Sequence, residues 1–198
     1  IRDRDNTKKL PSFIKERLEA GGINSINPVV DILNYVMLDL GQPMHAFDLN
    51  KIGKQINVRF AKSKEKIHLL DESSKVLNDK CLVISDEKEP LAFAGIMGGT
   101  KSSVSATTNS VFIESAFFAP NIIRGKARNF NIQTDSSQRF ERGVDYNLQS
   151  LALVKATNLI KEYLSGTYSK ISTVEIKSNL PSQIPVSYTH LTLPTNSN

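Results

Sequence analysis

Apolar residues fall at helical spacing near both ends of the chain and alternate over short stretches between them. In "INPVVDILNYVMLDLG" the residues Val29, Leu33, Val36, Met37 and Leu40 form one stripe, which predicts a helix with a buried face. Asn27 can cap it, Pro28 suits its first turn and Gly41 ends it. A shorter helix is predicted in "LPSFIKERLEAGG", where Pro11 sits near the start, Ile14 and Leu18 share a face, and Gly21 and Gly22 stop the run. Towards the other end, "DYNLQSLALVKATNLIKEYLSG" reads as a long amphipathic helix closed by Gly166, and "APNIIRGKARNF" allows a short one with Pro120 in its first turn.

Between the helices, "INVRF", "KIHLL", "CLVIS", "LAFAG" and "SVFIES" read as short strands separated by charged or Asp/Ser turns, with a hairpin around Asp71. "KISTVEIK" is expected to add a last strand. Helices gathered at the two ends, with strands in a run between them, predict an α+β fold rather than alternating βαβ units.

At 198 residues the chain is the size of one domain. Hydrophobic residues make up 39% and charged residues 23%, ordinary globular usage, and no apolar run approaches the ~20 residues that span a bilayer. The expectation is a soluble chain without a visible secretory leader, although "IRDRDNTKKL" reads as mid-protein sequence. The ending "VSYTHLTLPTNSN" breaks the pattern and reads as non-native. Residues 181–198 are therefore set aside as a truncated linker and tail, and His190 receives no role. One cysteine, Cys81, excludes an intrachain disulfide, and with only three scattered histidines no metal-ligand spacing emerges.

The net charge of +5 suits an anionic partner without demanding one. Its distribution says more: residues 124–143 hold five basic side chains, Arg124, Lys126, Arg128, Arg139 and Arg142, against the two acids Asp135 and Glu141. They form either a salt-bridge cluster fixing the start of the last long helix or a phosphate-facing patch. Glu114 interrupts the apolar strand "SVFIESAFF", where an unpaired carboxylate is costly to bury. It needs an ion pair with one of those arginines, or a cavity and a ligand hydroxyl. "GIMGGT" supplies glycines at 95, 98 and 99, enough for a tight turn or for close approach of backbone N–H groups to a ligand, without the lysine of a P-loop. His45, in the apolar loop "GQPMHAFD", is either a satisfied core residue or part of a site. If His45, Glu114 and Thr134 converge, they place a few polar groups in an apolar pocket, the usual anatomy of a small-molecule site.

Taken together and in order, "VVDILNYVMLDLGQPMHAFD", "AGIMGG", "FIESAFFAP" and "TDSSQRFERGVD" resemble the B3/B4 region of the bacterial phenylalanyl-tRNA synthetase beta subunit, over about residues 10–180. The resemblance implies a B3/B4-type α+β domain over residues 1–180, with mixed or antiparallel sheet layers. It also implies hydrolysis of tyrosine wrongly esterified to tRNA(Phe). Residue by residue, Glu114 matches the glutamate that receives the tyrosine hydroxyl, His45 and Thr134 match groups near the ester, and Gly95 and Gly98 match glycines that leave room for the ring. Ser136 stands where alanine is common and Asn24 where arginine is common, which weakens the carry-over at the pocket wall and at the tRNA end. No general base is assigned. The partners implied are the acceptor end of tRNA(Phe) and an alpha subunit, in a cytoplasmic heterotetramer of two alpha and two beta chains. ATP and Mg belong to the whole enzyme, with no cofactor and no membrane in this region. The alternative is a scaffold module in which editing has decayed.

Overall fold

The structure, a computed structural model, describes residues 1–5 and 8–174. It opens with α1 (Ser12–Ala20) and α2 (Pro28–Leu40). The Asn27 side chain accepts a hydrogen bond from the Val29 N–H at 3.1 Å, and Gly41 ends α2 in the left-handed conformation at φ 74°. Ile14 and Leu18 of α1 and Val29, Leu33, Val36 and Met37 of α2 are buried as the stripes predict, Ile32 is buried beside them, and Leu40 is only partly so.

Next come β1 (Met44–Asp48), β2 (Asn57–Phe60), β3 (Lys66–His68), β4 (Ser74–Val76), β5 (Leu82–Ser85), β6 (Pro90–Phe93), β7 (Met97–Gly98) and β8 (Val111–Ser115). Every pairing is antiparallel: β2-β5-β6-β7 form a four-stranded sheet, β3 and β4 the expected hairpin, and β1 pairs with β8 across the fold. Three short helices follow, α3 (Pro120–Ile123), α4 (Lys126–Asn129) and α5 (Asp135–Arg142), and then the long α6 (Leu148–Leu164). Ala152, Ala156, Ile160 and Leu164 are its buried face, one residue per turn, and it ends at Ser165 and Gly166, both at positive φ. The fold is thus α+β, with helices at both ends of a run of strands.

Two expectations change. His45 lies in a strand, not a loop, because "MHAFD" alternates sides and finds its partner in β8. The last strand does not form over residues 170–174, and the rest of "KISTVEIK", with the tail at 181–198, lies outside the described residues. No helix among the described residues is long and apolar enough to cross a membrane.

The β1–β8 ribbon divides two apolar cores. Ala46 and Val111 face α1, α2 and α6, while Phe47 packs with the strands and with Phe118, Ile123 and Phe140. Gln42 bolts the ribbon to α6. Fully buried, it donates from Nε2 to the carbonyls of Pro43 (2.8 Å) and Ala116 (2.9 Å), and its Oε1 accepts from Gln149 Nε2 at 2.9 Å. Replacing Gln42 by alanine orphans these partners at a dry position. The expected loss is about 2–3 kcal/mol, seen as a lower urea midpoint at unchanged m-value; an unshifted midpoint would mean water already serves those carbonyls.

Candidate functional site

Residues directly opposite in an antiparallel ladder project to the same face. His45 stands opposite Glu114, and Phe47 opposite Phe112, so one face of the ribbon carries two titratable groups beside two aromatic rings. That face borders a cavity of about 80 Å³, whose wall includes His45, Glu114, Gly95, Gly98, Ser136 and Phe140. The sequence-predicted residues therefore converge, except for two.

Thr134 is one exception. Its hydroxyl accepts from the Ser137 N–H (3.0 Å) as the N-cap of α5 and donates to the Ile96 carbonyl (2.8 Å), so it pins α5 to the glycine loop and is not part of the cavity wall. Asn24 is the other: it is exposed in the connection between α1 and α2, outside that wall. Ser136 does line the cavity, but its hydroxyl donates to the Gly95 carbonyl at 3.1 Å.

Glu114 has no hydrogen bond or ion pair among the described residues, and burial alone pushes its carboxyl up to about 7. None of the arginines of the 124–143 stretch claims it. Arg139 pairs with Asp135 at 2.8 Å, and Arg128 reaches Glu141 at 3.7 Å. Glu141 also accepts from the Gly125 N–H at 3.2 Å, so this cluster ties α5 to α3 and α4 rather than fixing the start of α6. His45 is likewise perturbed by burial only, down to about 4, and its Nε2 is buried without a partner. The imidazole meets Phe47 edge-on, with ring centroids 4.6 Å apart.

The glycines shape this arrangement. A Cβ on Gly98 would lie 2.3 Å from His45 Cε1, so the space that glycine leaves is filled by the imidazole. Gly95 sits at φ +69° and meets Phe118 and Phe140, whose rings are 5.1 Å apart. Sequence reasoning passed over Gln42 and this aromatic wall, although a glutamine in the apolar "GQPMH" was a usable signal.

At neutral pH the site offers a carboxyl able to donate or accept, an uncharged imidazole with an unused nitrogen, and rings around both. That set suits a small aromatic ligand bearing a hydroxyl. Ligand pockets usually reach about 300 Å³ or more, so an aromatic guest requires the wall to yield, and the unbranched Met44 and Met97 are its most adaptable members. A wider open groove of about 990 Å³ runs between β8, β2 and α6 and shares Glu114 and Ile84 with the cavity. Among the described residues, no group of three or more His, Cys, Asp or Glu side chains could hold a metal ion.

Comparison with known proteins places these motifs in a family. A B3/4 domain family model matches residues 1–165. The chain is 49% identical over 203 residues to the phenylalanine–tRNA ligase beta subunit of Legionella pneumophila (strain Lens), covering 94% of this chain and 26% of that protein. It is 49% identical over 181 residues to the beta subunit of Coxiella burnetii, covering 91% and 23%. For that of Vibrio cholerae the figures are 52% over 171 residues, covering 86% and 22%. The chain thus spans about a quarter of the length of the relatives it matches. A solved N-terminal fragment of the phenylalanyl-tRNA synthetase beta-subunit from Pyrococcus horikoshii superposes with a TM-score of 0.41 at 15% identity, over 65% of this chain and 40% of that one, too loosely to build on.

Glu114 and His45 carry opposite pH signatures. With its pKa raised, Glu114 holds a proton in the folded state that the unfolded chain releases above about 4.5, so its contribution to stability falls as pH climbs from there to about 7. His45, depressed, binds its proton only near 4 when folded but near 6.5 when unfolded, so stability falls as pH drops through that interval. Relative to the parent, Glu114→Gln is expected to make stability rise more steeply with pH between about 4.5 and 6.5, and His45→Phe less steeply. Each difference is bounded by about 1.4 kcal/mol per pH unit. Urea melts across that range read it out, and three parallel curves would show that neither group is desolvated.

Proposed function

The chain belongs to the B3/4 domain family, and from that premise we propose that its cavity is a proofreading site for mischarged tRNA within a phenylalanine–tRNA ligase beta subunit. The reaction is hydrolysis of tyrosine esterified to tRNA(Phe), releasing tyrosine and the free 3′ hydroxyl. Proofreading is needed because an apolar pocket shaped for phenylalanine rejects a ring with one extra hydroxyl by only about a hundredfold. A second site must reward the hydroxyl instead.

The observation that carries this reading is the partnerless Glu114 carboxyl at the cavity wall. A phenol brings it a hydrogen-bond partner, whereas a bare ring buries it unpaired, at a cost of about 1–3 kcal/mol. Across the ladder, His45 has a free ring nitrogen with which to orient the ester or a water. A pKa near 4 makes it a weak proton acceptor at neutral pH, so orientation rather than proton abstraction is its role. Thr134 acts one step removed, by holding α5 and the glycine loop together. The same reading gives the protein an alpha-subunit partner, the acceptor end of tRNA(Phe) as ligand, a cytoplasmic setting, and ATP with Mg at a synthetic site outside this region.

One set of observations favours the scaffold reading: the Thr134 and Ser136 hydroxyls are spent on Ile96 and Gly95, and the cavity is narrow. Two variants of the intact ligase separate the readings. Glu114→Ala is expected to slow deacylation of Tyr-tRNA(Phe) by about ten- to a hundredfold, the worth of a hydrogen bond to a charged group, with phenylalanine activation unchanged. Equal tyrosine clearance by variant and parent would leave only the scaffold. His45→Ala is expected to lower turnover at similar tyrosine-ester affinity, and normal turnover with a lowered melting temperature would return His45 to a packing role.

A further inference from the structure

Of the five basic residues in the 124–143 stretch, two are matched by its two acids, Arg139 by Asp135 and Arg128 by Glu141. Arg124, Lys126 and Arg142 have no carboxylate partner among the described residues. Arg124 and Arg142 are exposed, and their guanidinium groups reach only backbone carbonyls, those of Glu141 (3.5 Å) and Gln138 (3.4 Å).

Local structure explains little of this surplus. A cation in the last turn of α5 gains from the helix dipole, which accounts for Arg142 in part. Arg124 stands at the C-terminal end of α3, whose four residues make only a small dipole, and Lys126 opens the four-residue α4, at whose N-terminal end a positive charge gains nothing.

Their position relative to the cavity is the informative fact. Ile123, immediately before Arg124, packs against Gly95, and Phe140, two residues before Arg142, lines the cavity. Arg142 thus lies on the helix that walls the cavity, and Arg124 and Lys126 join it around Glu141, whose carbonyl Arg124 reaches and whose carboxylate accepts from the Gly125 N–H between them. Arginine presents a planar fork that matches phosphate oxygens two at a time.

Building on the proofreading reading, we infer that Arg124, Lys126 and Arg142 form a phosphate-binding surface for the single-stranded 3′ end of tRNA, which it holds while the terminal ester enters the cavity beside Glu114. The ligand chemistry is that of a flexible polyphosphate strand, recognised by charge and not by base sequence. Ser136 and Phe140 face the ester from α5 while Arg142, on the same helix, meets the strand behind it.

Binding without turnover tests this. The full chain is titrated by fluorescence anisotropy against deacylated tRNA(Phe), and against the same tRNA trimmed of its single-stranded 3′ end, across a salt series. The triple variant Arg124→Ala/Lys126→Ala/Arg142→Ala is expected to bind intact tRNA about tenfold more weakly at 0.1 M salt. Its log–log salt slope should be shallower by about 2, the release expected for three single-strand phosphate contacts. Trimmed tRNA should bind the parent as weakly as intact tRNA binds the variant. A control variant, Lys62→Ala/Lys80→Ala/Lys88→Ala, removes the same charge from exposed sites elsewhere and should bind like the parent. Parent-like affinity and slope in the triple variant, an equal loss in the control, or undiminished binding of trimmed tRNA would each overturn the surface. A chain that hydrolyses no tyrosyl ester yet shows the expected pattern would sink the hydrolase reading and leave the surface standing.

Discussion

Pairing β1 with β8 brings residues 44–48 against residues 111–115, and the chemistry of the cavity follows from that register. Side chains alternate across a strand, so a slip of one residue in either strand would turn its titratable group, His45 or Glu114, into the helical core and its neighbour Ala46 or Ile113 toward the cavity. An acid set among Ile14, Leu18 and Ile32 would cost several kcal/mol. Phe47 and Phe112, which fill the sheet-side core, would lose their places as well. The apolar residues of both cores thus specify the face on which the two titratable groups emerge. Gln42 guards the same register from the end of the ribbon, since its bonds to Ala116 and Gln149 can form only when β1 and β8 are aligned as observed.

Burial then sets the electrostatics. Neither Glu114 nor His45 owes its shifted pKa to a charged neighbour; desolvation alone pushes one up and the other down. Both changes favour the uncharged form, so the folded chain reaches neutrality at the site without an ion pair. An arginine beside Glu114 would have stabilised the carboxylate and closed it to a ligand. The arginines of the 124–143 stretch are held by Asp135 and Glu141, or face solvent.

Much of this was legible in the sequence, and the limits have physical causes. Caps and stops such as Asn27, Pro28 and Gly41 act within a few residues of where they stand, so local pattern locates α2 almost to the residue. Glu114 stood out because an acid in an apolar strand is expensive wherever the strand goes. His45 did not declare its strand: its partner, Glu114, lies 69 residues further along the chain, and a five-residue segment that opens after proline reads as a loop until the partner is known. At Thr134 the structure adds what the local sequence could not show: the hydroxyl accepts from the Ser137 N–H and donates to the Ile96 carbonyl, so its proton is committed within the fold.

The hydroxyls at 134 and 136 decide how selective such a site can be. The extra hydroxyl of Ser136 would make the wall indiscriminately polar if it were free, but it donates its proton to the Gly95 carbonyl, and Thr134 donates to Ile96. Two backbone acceptors near the glycine loop are thereby satisfied internally and make no demand on a guest. Of the wall's titratable groups, only Glu114 and His45 remain without a hydrogen-bonding partner. Discrimination between a phenol and a bare ring depends on how badly the site fares when the hydroxyl is missing. That penalty grows as fewer spare polar groups surround the waiting acceptor, and the Ser136 and Thr134 bonds remove two hydroxyl donors from that set while the His45 nitrogen stays open.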